Sequence, residues 1–144
     1  MQSRSLSREV ALQILYQMNF ENFSEASIDY TFNELGIEEA IKSFAMIIID
    51  GVKKNKEIID AYIEKKLINW RIDRISLIDK TLLRMGIFEI AMIADVPKNV
   101  TISEIIKLSN NYSDADTYRF INGILDNFEK TGNIKTALIN GATD

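Results

Sequence analysis

The sequence predicts an all-α protein, a compact single-domain bundle of six to seven helices. Three observations lead there. Apolar residues recur at three- and four-residue steps along most of the chain, and no stretch alternates apolar and polar residues as a half-buried strand does. Only six glycines and one proline interrupt 144 residues, too few breakers for a turn-rich β-sandwich or a fold built on a glycine-rich loop. Hydrophobic residues make up 47% and charged residues 26%. A chain of this length can bury roughly two-thirds of its unfolded surface, which is enough for a core without staples.

The elements follow in order. Leu6, Val10, Ile14 and Met18 step by four, and Ala11 and Leu15 widen the stripe. They predict an amphipathic helix over residues 5–20, with Glu9 near its positive end. Residues 21–26 are polar and loop-like. Ile28, Phe32 and Leu35 mark a short second helix stopped by Gly36. From residue 38 the pattern Ile41, Phe44/Ala45, Ile48, Val52, Ile58/Ile59, Tyr62/Ile63 predicts a long helix to about residue 66, with a bend between 51 and 55. Residues 67–74 break the rhythm as a connector. Ile75, Ile78, Leu82, Met85 and Ile90 restart it, and Asp95-Val96-Pro97 closes that helix. Thr101 and Glu104 have the spacing of a capping box, with Val100 and Ile105 placed as a hydrophobic staple, so a fifth helix is expected to begin there. Ser113 and Asp116 repeat the spacing. Phe120/Ile121, Ile124/Leu125 and Phe128 form the last strong stripe, ended by Gly132. The expected domain is 1–132, followed by a weakly ordered tail, 133–144.

Charge is unevenly spread. The net charge is −4. Residues 1–52 carry three basic and eight acidic side chains, residues 53–84 nine and five, and residues 85–144 five and eight. The middle third is a basic island able to meet phosphates locally while the total stays negative. The longest strongly apolar run, residues 44–49, is far short of a membrane span, and the N-terminus has no apolar stretch of signal-peptide type. A cytoplasmic location and no membrane partner are expected.

The chain contains neither Cys nor His. That removes thiolate nucleophiles, disulfides, the commonest general base and the commonest transition-metal ligands. No metal and no cofactor is expected. Asp60 and Glu64 share a helix face and could be acid and base, but with Lys56, Lys65 and Lys66 close in sequence a solvated charged face is the better reading. Gly51 and Gly86 stand alone in helical pattern, as close-packing points and not as part of a phosphate loop. The expectation is a protein that binds rather than catalyses.

Three places could bind RNA. Arg4 and Arg8 lie one helical turn apart near the N-terminus and can point at one phosphate run. Trp70-Arg71-Ile72-Asp73-Arg74 sets the only Trp between basic residues, a composition that stacks on unpaired bases and grips their phosphates. Trp70 could equally plug the end of the bundle, the commoner role for Trp. In Tyr118-Arg119-Phe120-Ile121-Asn122-Gly123, Phe120 and Ile121 cannot both face the core fully, so an aromatic ring could lie beside Arg119 at the surface. Asp79 and Lys80, at the opening of the fourth helix, are expected to be exposed.

These pieces in this order resemble the NusB family of bacterial transcription antitermination factors. The resemblance runs from Arg4 to Phe128. It rests on Arg8-Glu9 with Ala11-Leu12-Gln13-Ile14-Leu15-Tyr16, Gly51-Val52, Asn69-Trp70 through Arg74, Asp79-Lys80 with Leu83-Arg84 and Phe88-Glu89, Val96-Pro97 with Val100-Thr101-Ile102-Ser103-Glu104, and Phe120-Ile121-Asn122-Gly123-Ile124-Leu125-Asp126. It implies a non-enzymatic helical RNA-binding protein that pairs with NusE, a small-subunit ribosomal protein. The pair grips boxA, a single-stranded element of ribosomal RNA leader transcripts, and joins other Nus factors on RNA polymerase.

The resemblance implies RNA contacts at Arg4 and Arg8, and at a second patch around Arg119 and Phe120 with Asp116 at its edge. Arg71, Arg74 and Asn122 are further RNA-binding candidates beside these. Asp73, Asp79 and Asp116 are the candidates for meeting the basic protein partner. The family's arginine-rich N-terminal segment is thin here, so reliance on NusE is expected. The central expectation is that Arg4, Arg8, Arg119 and Phe120 share one exposed surface. A rival reading is a protein-binding helical adaptor or homodimer with little RNA affinity of its own. A module like the one fused to ribosomal RNA cytosine methyltransferases is the other, and it lacks here the Cys and second domain of those enzymes.

Overall fold

Six helices, and no strand, occur among the residues described by the computed structural model, which are 2–67, 74–114 and 116–128, with side chains from residue 4 onward. They are α1 (Gln2–Gln17), α2 (Glu25–Glu34), α3 (Glu39–Lys66), α4 (Leu77–Met92), α5 (Lys98–Tyr112) and α6 (Tyr118–Asp126). Trp70, Arg71, Asp73 and the tail 133–144 lie outside the described residues. The chain divides into two compact units, 1–51 and 52–144, with α3 contributing to both.

In the first unit α1 stops three residues earlier than its stripe suggests. The Asn19 side-chain amide donates to the carbonyls of Leu15 (3.0 Å) and Tyr16 (3.1 Å), satisfying two groups that a further turn would have used. The buried face of α1 also differs from the simple four-step stripe. Leu6 is exposed, while Ser7 and Arg8 are buried beside Val10, Ala11, Leu12, Ile14 and Leu15. Ser7 is satisfied there because its Oγ donates to the Ile41 carbonyl at 2.8 Å, tying α1 to the start of α3. α2 ends as expected. Gly36 takes φ +61°, and the amides of Gly36 and Ile37 donate to the carbonyls of Asn33 and Phe32, closing a Schellman turn. Lys42 of α3 reaches back to α2, with Nζ 3.8 Å from Asp29 and 5.5 Å from the Phe32 ring centre.

In the second unit α4 packs against α5 and α6, and α5 against α6. Every residue of α4 from Thr81 to Ala91 is buried, so this helix is core on all sides rather than amphipathic. The two charged residues within that stretch, Arg84 and Glu89, have partners. Arg84 makes a bidentate contact to Asp60 of α3, Nε to Oδ1 at 2.7 Å and Nη2 to Oδ2 at 2.9 Å. Asp60 thus serves a structural ion pair, not an acid–base couple with Glu64. Glu89, fully buried, accepts from Thr101 Oγ1 at 3.4 Å.

That last contact changes the opening of α5. Thr101 is not a cap. Its hydroxyl turns inward to Glu89, and the helix starts three residues earlier, where the Pro97 carbonyl accepts from Val100 (3.0 Å) and Thr101 (3.2 Å). Val100 is exposed while Ile105 is buried, so the staple does not form either. Nor does Ser113 cap α6: it is the C-cap of α5, and α6 opens after Thr117. Gly86 is a close-packing point, as its isolation in the pattern suggested. A β-carbon there would sit 2.8 Å from both terminal methyls of buried Leu125 on α6.

Candidate nucleic-acid interface

The candidate residues separate by the unit that carries them. On α1 the two arginines share one aromatic ring. Arg4, half-buried, holds its guanidinium carbon 4.4 Å from the centre of the Phe44 ring, and that of Arg8 lies 5.5 Å from the same centre. Arg8 is only 3% exposed. The expectation of two arginines pointing outward together therefore does not hold for Arg8, whose long aliphatic stem is covered in the fold.

In the second unit a cleft of about 750 Å³ opens where α4 begins and α6 begins. Its walls carry five of the predicted residues: Arg74, Asp79, Asp116, Arg119 and Phe120. Chain segments some forty residues apart thus converge. The helix starts explain how. Ser76 is the N-cap of α4 and its Oγ accepts the Asp79 amide at 3.2 Å, fixing the first turn just after Arg74. The Asp79 carboxylate sits at the positive end of the α4 dipole and accepts the Ser113 hydroxyl at 2.6 Å. That bond ties the end of α5 to the start of α4. Asp79 is consequently buried and not exposed as expected, because Ser113 covers it.

α6 carries the other wall. Ile121, Ile124 and Leu125 are buried, which turns Arg119, Asn122, Gly123 and Asp126 to solvent. Phe120 falls between the two faces and is half-buried, its ring on the cleft wall beside exposed Arg119. Arg119 Nε donates to the Tyr118 hydroxyl at 3.4 Å, and this contact raises the guanidinium pKa above its ordinary value. Asn122 lies on the exposed arc of α6 and is not part of the cleft wall.

The cleft is mixed in sign. Two arginines face three carboxylates, Asp79, Asp114 and Asp116. It is therefore not a purely cationic ledge. The arrangement offers cations for phosphates, a ring for stacking, and carboxylate acceptors for base amino groups or ribose hydroxyls. Sequence reasoning did not name Ser76, and it read Ser113 only as a cap of the last helix. Ser76, three residues before Asp79, has the capping spacing that would have found it. Nothing local marks Ser113, whose partner is 34 residues away. Among the described residues no group of three or more acidic side chains is placed to hold a metal ion, and no helix is long and apolar enough to cross a membrane.

Comparison with known proteins meets this geometry. The NusB family model matches residues 5–130. The transcription antitermination protein NusB of Bacillus cereus (strain ATCC 10987 / NRS 248) is 37% identical over 128 residues, covering 89% of this chain and 98% of its own. That of Bacillus thuringiensis (strain Al Hakam) is 36% identical over the same length. Among solved structures, T. maritima NusB superposes with a TM-score of 0.75 at 29% identity, covering 85% of this chain and 87% of its own. The crystal structure of antitermination factors NusB and NusE in complex with double-stranded RNA gives 0.78 at 25% identity, covering 88% and 95%. The family match runs through all six helices, and these relatives align over nearly their whole length. The chain therefore belongs to the NusB family, whose named members are transcription antitermination proteins and not enzymes.

Proposed function

We propose that the chain binds the single-stranded boxA element of ribosomal RNA leader transcripts together with NusE, and so helps assemble the antitermination complex of Nus factors on RNA polymerase in the cytoplasm. The cleft at the starts of α4 and α6 is the observation that carries this reading. Arg74 and Arg119 supply phosphate contacts, the Phe120 ring supplies a stacking surface, and Asp116 supplies an acceptor at the rim. An unpaired strand suits such a site, since its bases can splay out onto a ring. A structural relative captured with both NusE and RNA supports the two partners.

Partner dependence follows from charge. A chain of net charge −4 with few exposed arginines at its interface gains little from counterion release on its own, and a basic ribosomal partner supplies the remainder. Asp73, Asp79 and Asp116 are the acidic residues assigned to that partner. Burial under Ser113 leaves Asp79 to act mainly by holding the cleft in shape.

The test is a boxA titration followed by fluorescence anisotropy, with and without NusE. Binding should tighten when NusE is added. Phe120→Ala should weaken it by about tenfold or more, the loss expected when one stacked base is released. Arg119→Ala should weaken it by several-fold with no change in melting temperature. If light scattering shows a stable homodimer and no RNA is bound in the presence of NusE, the protein-binding adaptor reading replaces this one.

A further inference from the structure

We infer that Gly123 is a point of close approach for the bound RNA, kept without a side chain so that the ribose–phosphate backbone can lie directly on α6. The inference rests on the RNA-binding reading above. A glycine within a helix is unfavourable relative to alanine, because it loses more backbone freedom and packs nothing, so its presence calls for a reason. Gly36 has one in its φ of +61°. Gly86 has another in Leu125, 2.8 Å from where its β-carbon would stand.

Gly123 has neither. Its φ is not positive, and a β-carbon built on it meets no atom within 4 Å among the described residues. It is exposed, within α6, where alanine would fit the helix better. The fold of the described residues therefore does not ask for a glycine at this position.

Its neighbours indicate what does. Arg119 stands one turn earlier on the same face, Asn122 is adjacent on the exposed arc, and Phe120 opens the cleft beside Arg119. A strand with a base against Phe120 and a phosphate at Arg119 would cross the helix next at Gly123. Asn122 can donate to a phosphate or accept from a ribose hydroxyl there. At such a crossing a bare Cα lets the sugar sit on the helix backbone, while any larger residue lifts it and lengthens the polar contacts on both sides.

The experiment compares Gly123→Ala and Gly123→Leu in the full chain with NusE, against a fluorescein-labelled single-stranded boxA oligoribonucleotide at fixed salt, alongside thermal melting. The expected result is an opposition of signs. Gly123→Ala should melt at the same or a higher temperature and bind about threefold more weakly, and Gly123→Leu should bind about tenfold more weakly or worse. Wild-type affinity in both variants overturns the inference. So does a lower melting temperature for Gly123→Ala, which would make Gly123 a packing residue. If Gly123→Leu fails to fold, Gly123→Ala alone decides. Arg119→Ala, run in parallel, separates the two levels: weakened binding there with Gly123 variants unchanged overturns only the inference, and unchanged binding in all of them overturns the functional reading as well.

Discussion

Arg8 on α1 and Arg119 on α6 occupy the same kind of position in the sequence, an arginine within two turns of a helix start. Their surroundings are opposite. Arg8 is 3% exposed and sits over Phe44, so its stem and charge are part of the packing of the first unit. Arg119 is exposed, donates to the neighbouring Tyr118 hydroxyl, and lines a cleft in the second unit. Composition assigns both to RNA. Burial assigns structure to one and leaves the other free of any packing duty that would explain it. The number of arginines near a site is a poorer guide to an RNA surface than the fraction of each that solvent can reach.

The contrast can be broken most strongly at the buried arginines. Arg84→Ala should cost about 2 kcal/mol of stability, discounted from the usual loss for a buried pair because Asp60 keeps a quarter of its side-chain exposure. Arg8→Ala should cost about 1 to 2 kcal/mol through lost stem packing and lost contact with Phe44. Both are read by thermal or urea unfolding. A wild-type melting curve for Arg8→Ala together with weakened boxA binding would move Arg8 to the RNA surface and erase the distinction. Arg4 is the sharper and smaller case, half-buried with its guanidinium over the same ring. Arg4→Ala should change stability by less than about 1 kcal/mol and lower the slope of log affinity against log salt by no more than about one. An unchanged slope would leave RNA contact to the second unit.

Much of the fold was legible because it is written locally. Apolar steps of three and four located five of the six helices among the described residues, the capping-box spacing of Thr101 and Glu104 placed α5 three residues late, and Gly36 marked the end of α2 for the reason its φ shows. What was not legible depends on distant partners. Thr101 has every local mark of a cap, yet buried Glu89, twelve residues back, takes its hydroxyl. Asp79 reads as an exposed acid at a helix start, yet Ser113 covers it from 34 residues away. Arg8 reads as a surface residue and Leu6 as part of the apolar stripe, yet Arg8 is buried and Leu6 is exposed. For the site, the residue types around Arg119 and Phe120 were visible because an aromatic and an apolar residue in succession cannot both be core. The pairing of that patch with Arg74 and Asp79 into one cleft is tertiary and left no trace in spacing.

The central claim is that RNA lies in the cleft formed by the starts of α4 and α6. The most direct measurement is photo-crosslinking of a 4-thiouridine-substituted boxA strand to the complex with NusE, with the modified residues identified by mass spectrometry. Crosslinks at Phe120 and its cleft neighbours between residues 74 and 79 or 114 and 123 are the predicted result. Crosslinks confined to the first unit, with none in those two segments, would contradict it.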